Sequence, residues 1–197
     1  MIDSYYRDKY QAILVRPIVK IISRSTTIHP KLVTLVACCS GILIIPLLAF
    51  SYPYTALIFM LISGYLDTFD GSLARETHKE SPQGAVLDII CDRIVEFSII
   101  LGLYFVDPVS RSLLCLFMLG SVLICITSFL VVGIFIENAT NKSFHYSPGL
   151  MERSEAFCLF ALMILFPSYF SWFASLFSIL VFWTALIRVK EFQENTP

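Results

Sequence analysis

The sequence predicts an all-α polytopic membrane protein, with six transmembrane helices and an N-terminal interfacial amphipathic helix. Composition is the first reason: the 197 residues are 57% hydrophobic and only 15% charged, with a mean hydropathy of +0.77, too apolar for a soluble globular domain. The second is that apolar runs of about 17–25 residues, the length that crosses a bilayer core, recur along the chain. They extend from Leu32 to Phe50, Tyr54 to Ala74, Gly84 to Phe105, Ser112 to Ile136, Leu150 to Phe166 and Tyr169 to Ile187. The third is the placement of charge. Arg7, Lys9, Arg16, Lys20, Arg24, Lys31, Arg75, Lys79, Lys142, Arg153, Arg188 and Lys190 fall on the side of the termini, whereas Arg111 falls on the other and Arg93 inside a run. This bias puts both termini in the cytoplasm.

The organisation that follows is a cytoplasmic-surface segment over residues 1–31, a membrane domain over 32–190 and a cytoplasmic tail over 191–197. In the first segment, Tyr10, Ile13, Leu14, Pro17, Ile18, Ile21 and Ile22 recur at helical spacing, with Lys9, Arg16, Lys20 and Arg24 on the other side. Such a helix lies in the interface of an anionic leaflet, or packs its basic length on the bundle. The charged N-terminal stretch lacks an apolar core, so no cleavable signal peptide is expected. Pro30 then marks the start of the first span.

The second and third spans carry the chemistry. They contain Asp67, Asp70, Asp88 and Asp92, and translocon-type scales charge ~2.5–3.5 kcal/mol for each aspartate at the centre of a membrane helix. Asp67 and Asp70 share one helix face by spacing, as do Asp88 and Asp92. The connection is short, and Ser81-Pro82 reads as an N-cap and first helical position, so the two helices run antiparallel. At 1.5 Å rise per residue, Asp70 and Asp88 lie roughly 6–8 Å deep and Asp67 and Asp92 about 12 Å deep. Carboxylates facing carboxylates at matched depth suit a hard divalent cation. Gly71 and Ala74 leave room for a phosphate or ring to approach, and Arg75 stands at the membrane edge with a guanidinium fork for phosphate oxygens. His78, in the connecting loop, reads as a solvated histidine rather than a proton shuttle. Glu96 continues the Asp88 and Asp92 stripe, with Arg93 placed to pair with it.

The fourth span is apolar except for Ser121, Thr127 and Ser128 and has no arginine at its cytoplasmic end. A polar stretch from Lys142 to Glu155 precedes the fifth span and supplies Lys142, His145 and Arg153 as candidate acceptor-binding residues. The aromatic-rich fifth and sixth spans meet at Pro167-Ser168. Cys38, Cys39, Cys91, Cys115, Cys125 and Cys158 all fall within spans without zinc-type spacing and read as small packing residues.

The pattern DxxDGxxAR, eight residues, then GxxxDxxxD is complete here in Asp67, Asp70, Gly71, Ala74, Arg75, Gly84, Asp88 and Asp92. It resembles the signature of the CDP-alcohol phosphotransferases, integral membrane enzymes of phospholipid synthesis. The resemblance implies a CDP-alcohol donor, CDP-diacylglycerol above all, an acceptor hydroxyl that the sequence does not name, membrane lipid as surroundings, a homodimer, and a site facing the cytoplasm of a bacterial inner membrane. Nucleic acid is not an expected partner. It also implies two divalent cations, Mg²⁺ or Mn²⁺, held by Asp67, Asp70, Asp88 and Asp92, with Asp92 as the general base. Thr34, Asp67, Gly71, Ala74, Arg75 and Gly84 are then the nucleotide-side residues. Thr34 matches a threonine that follows a Pro-Asn pair in many relatives, and Lys31 replaces the asparagine. Two readings from other classes stand beside this one, a divalent-cation transporter and a non-catalytic nucleotide- or metal-binding membrane protein.

Overall fold

The computed structural model describes residues 15, 17–19, 28–135, 151 and 153–195. Among them the chain forms seven α-helices and a short 3₁₀ turn: α1 Pro30–Ile42, α2 Ile44–Ala49, α3 Pro53–Glu76, α4 Pro82–Val106, α5 Pro108–Phe135, α6 Arg153–Leu165, the turn Pro167–Tyr169 and α7 Phe170–Asn195. Proline opens α1, α3, α4, α5 and the 3₁₀ turn, at positions whose backbone N–H has no intrahelical partner to lose.

The expected first span is broken. Pro46 cannot donate to the carbonyl of Ile42 and its ring crowds that oxygen, so α1 ends at Ile42, Leu43 forms a turn and α2 resumes the path. Pro30–Ala49 still makes a 20-residue apolar stretch. Ser51, at a left-handed φ of 62°, reverses the chain after α2. At the far end of α3, His78 takes the same conformation, φ 52°, while Lys79 N donates to Ala74 O at 2.9 Å. His78 therefore fills the position that glycine usually occupies in a helix C-cap. Ser81 caps α4 as its sequence announces, its Oγ accepting from Gly84 N at 3.1 Å.

Among the described residues, four helical stretches are long and apolar enough to cross a membrane: Pro30–Ala49, Pro53–Glu76, Pro108–Phe135 and Pro167–Glu194. The other two expected spans differ for separate reasons. Helix α4 is 25 residues long but carries Asp88, Asp92, Arg93 and Glu96. Helix α6 has 13 residues, about 20 Å of rise against a core of about 30 Å.

The helices fall into two compact units. In the first, α1 packs on α3 and α4, and α2 on α4 and α3. Contact is closest at two glycines: a β-carbon on Gly41 would lie 2.5 Å from Val95 Cγ2, and one on Gly102 would lie 2.9 Å from Leu48 Cδ1. The N-terminal segment joins this unit, for Val15 and Val19 are buried with Val33, Phe69 and Leu73. Val19 is 2% exposed, while the neighbouring Ile18 is 43% exposed. The second unit holds α6, the 3₁₀ turn, α7 and nearly all of α5. There Phe160 and Phe177 pack with ring centroids 5.0 Å apart. Arg111 is buried, its guanidinium carbon 4.3 Å from the Phe170 ring centroid and its Nη2 donating to Pro167 O at 3.4 Å.

Candidate active site

Helices α3 and α4 bring three of their four signature carboxylates together. One oxygen from each of Asp67, Asp88 and Asp92 lies within 4.8 Å of the others. Partly buried carboxylates this close repel one another, and a divalent cation bound among them would relieve that repulsion. The donor set is all oxygen, which suits Mg²⁺ or Mn²⁺. Two oxygens on one Mg²⁺ stand at most about 4.2 Å apart, so small side-chain rotations adapt the cluster to an ion.

Asp70 adds no oxygen to this trio. It is 5% exposed, shares a side-chain hydrogen bond with Thr34, and keeps Oδ2 buried without a hydrogen-bond partner. A buried acceptor left open in this way suits a ligand that brings its own charge or donor. Thr34 is equally enclosed, with its Oγ1 3.3 Å from Pro30 O. Of the residues expected on the nucleotide side, Thr34 therefore anchors Asp70 from α1.

Side chains on a helix lean toward its N-terminus, and on α3 that direction leads from Arg75 back toward the aspartates. Arg75 follows it. Its Nη1 lies 3.6 Å from where a β-carbon on Gly71 would be, and its Nη2 donates to Ser72 Oγ at 3.2 Å. A β-carbon at position 71 would stand in ordinary van der Waals contact with the guanidinium, which folds closely over the helix there. Ser72, which the sequence did not single out, steers Arg75; the three-residue spacing was its signal. Ala74 lies on the same last turns of α3, half-buried. Gly84 has a local task as well, because its N–H meets the Ser81 cap and a β-carbon there would stand 3.2 Å from Ser81 Oγ.

Around the cluster, Lys31 Nζ donates to Gln83 Oε1 at 2.9 Å, linking the starts of α1 and α4. Arg93 pairs with Glu96 one turn beyond Asp92. Cys38 and Cys91 share a hydrogen bond between α1 and α4. Among the acceptor candidates, Lys142 and His145 lie outside the described residues, and Arg153 opens α6 with its guanidinium carbon 5.6 Å from the Phe157 ring centroid. In the same unit, Arg188 reaches from α7 to α5, donating to Cys125 O at 3.0 Å and Ser128 Oγ at 3.1 Å. It brings a guanidinium to the C-terminal half of α5, which has none of its own.

Comparison with known proteins agrees with this geometry. Residues 27–189 match the sequence profile of the CDP-alcohol phosphatidyltransferases. The chain is 32% identical over 169 residues to the inner membrane protein YnjF of Escherichia coli, covering 82% of each chain. It is 43% identical over 58 residues to the CDP-diacylglycerol–inositol 3-phosphatidyltransferase of Candida albicans, covering 29% of this chain and 25% of that one. The fold is similar to that of the Mycobacterium tuberculosis phosphatidylinositol phosphate synthase PgsA1, solved with CDP-DAG bound, with a TM-score of 0.74 at 19% identity over 89% of this chain and 92% of that one. A complete aspartate signature, a carboxylate trio built across two helices and a profile match over most of the length lead to one conclusion: this integral membrane protein belongs to the CDP-alcohol phosphatidyltransferase family of enzymes.

Proposed function

We propose that the enzyme transfers a phosphatidyl, or other substituted phosphate, group from CDP-diacylglycerol or a related CDP-alcohol to an acceptor hydroxyl and releases CMP. The observation that carries this reading is the meeting of Asp67, Asp88 and Asp92 from two helices, with Asp70 and Arg75 beside them on α3. That the similar PgsA1 structure holds CDP-DAG supports the choice of donor.

Asp67, Asp70, Asp88 and Asp92 would hold the cations. Two divalent ions bound there, Mg²⁺ or Mn²⁺, would supply charge neutralisation for the diphosphate and for the departing CMP. Arg75, pre-bent over Gly71, binds phosphate oxygens through its fork and orients the lipid-bearing phosphate. Thr34 holds Asp70 in place. Asp92 accepts the proton from the acceptor hydroxyl, whose oxygen attacks that phosphate in line as the bond to CMP breaks. Gly71, Ala74 and Gly84 allow the nucleotide to approach the helices, and Lys142, His145 and Arg153 contribute to the acceptor side.

We place the site at the cytoplasmic face of a bacterial inner membrane. Lys31, Arg75, Lys79, Arg153, Arg188 and Lys190 support that orientation, and the inner-membrane name of YnjF supports the compartment. On this reading α4 and α6 also cross, giving six spans. The carboxylates of α4 then face its helical neighbours, where intramembrane charge is tolerated.

The test is CMP release from CDP-diacylglycerol by purified protein with Mg²⁺ or Mn²⁺, across a panel of hydroxyl acceptors, beside Asp92→Asn. Acceptor-dependent CMP formation that is lost in the variant supports the transferase and names its acceptor. Absence of both turnover and donor-dependent thermal protection removes the CDP-diacylglycerol assignment.

A further inference from the structure

Asp88, Asp92 and Glu96 recur every fourth residue on α4 and so form one stripe, yet the cluster takes Asp67, Asp88 and Asp92 and leaves Glu96 out. Glu96 is not discarded to solvent, for its side chain is only 15% exposed. Arg93, three residues earlier, contacts Glu96 Oε2 through Nη1, while its own Nε is buried without a hydrogen-bond partner. This guanidinium, its side chain 41% exposed, thus sets its charge against Glu96.

We propose that Arg93 is a positioning residue that cancels the charge of Glu96 and keeps that carboxylate from extending the metal cluster one turn deeper. The proposal rests on the metal-binding reading of Asp67, Asp88 and Asp92. Its physical basis is distance. Neighbours one turn apart on a helix have β-carbons about 5–6 Å apart, and at that range in a weakly screened interior an uncompensated unit charge shifts the binding of a divalent cation by a factor of ten or more. With the pair intact, the cluster meets a near-neutral neighbour. With either partner removed, the remaining charge is no longer offset by the other, and its sign fixes the direction of the effect.

The experiment is direct Mn²⁺ titration of the full-length protein in lipid nanodiscs, followed by the electron paramagnetic resonance of free Mn²⁺. It compares the unaltered chain with Arg93→Gln, Glu96→Gln, the double variant and Asp88→Asn. The expected result is about tenfold tighter binding in Arg93→Gln, about tenfold weaker binding in Glu96→Gln, and a double variant within about twofold of the unaltered chain. Equal weakening in Glu96→Gln and the double variant would overturn the proposal by making Glu96 a ligand. Unchanged affinity in all three variants would overturn it by making the pair purely structural. If Arg93→Gln does not accumulate, the comparison of Glu96→Gln with the double variant still decides between restoration and equal weakening. No Mn²⁺ binding by the unaltered chain, or binding undisturbed by Asp88→Asn, marks failure of the metal-binding reading itself and takes the proposal with it.

Discussion

Gly41 on α1 and Val95 on α4 approach so closely that a β-carbon on the glycine would sit 2.5 Å from Val95 Cγ2 and 2.8 Å from Cγ1. Val95 is 3% exposed and follows Asp92 by less than one turn, so the contact sets how α4 presents its carboxylates. Gly41→Val should overpack this crossing and lower stability by about 1–3 kcal/mol. The midpoint of thermal unfolding in detergent measures it. Gly41→Val combined with Val95→Ala should recover part of the loss, because the second change opens the space the first one needs.

Asp88→Asn removes one of three mutually repelling carboxylates. Without divalent cations the variant should unfold at the same temperature as the unaltered chain or higher, and with saturating Mn²⁺ it should gain less stabilisation. A variant that loses stability in both conditions would point to a structural carboxylate.

Chelation should abolish CMP release, and either Mg²⁺ or Mn²⁺ should restore it, since the cluster offers only oxygen ligands. Restoration by Zn²⁺ alone would contradict the donor chemistry described for Asp67, Asp88 and Asp92.

Arg75→Lys keeps the charge but loses the planar fork that lies over Gly71 and bonds to Ser72. We expect kcat/KM for the CDP-alcohol donor to fall by about tenfold or more with little change in unfolding temperature. Ser72→Ala, which frees the guanidinium without removing it, should have a smaller effect in the same direction.

His78 should prove to be a backbone residue. Its left-handed φ of 52° costs about 1–2 kcal/mol with a side chain present, so His78→Gly should raise stability by about 1 kcal/mol and leave turnover intact. A collapse of activity with pH-dependent turnover lost would restore the proton-shuttle reading.

Much of the site was legible because its signals are local. Spacing put Asp67 with Asp70 and Asp88 with Asp92, Ser81-Pro82 fixed where α4 begins, and the short loop made α3 and α4 antiparallel; their carboxylates could then hardly avoid each other. The hydrogen bond between Asp70 and Thr34 was not written in this spacing, because Thr34 arrives from a different helix and is invisible to a pattern confined to α3 and α4. The break after Ile42 was written in Pro46, but the hydropathy of the run masked it. The docking of Val15 and Val19 with Phe69 and Leu73 was missed because neither valine stands in the spacing that picked out the isoleucines. The span count is a matter of composition, since the charges that make α4 functional are the ones that lower its hydropathy.

The prolines that open α1, α3 and α4 have a consequence for how this sequence tolerates insertions and deletions. Each fixes the zero point of a helix by covalent geometry, so the phase of every later residue is counted from it and not from the lipid. One residue added between Pro82 and Asp88 would turn both α4 aspartates by about 100° and shift them by about 1.5 Å along the axis, away from Asp67. The same addition between Phe97 and Val106 would leave all four signature aspartates in register. The reading frame of the chemistry is therefore narrow over the first half of α4 and permissive over the second, and length variation among relatives should collect beyond Glu96.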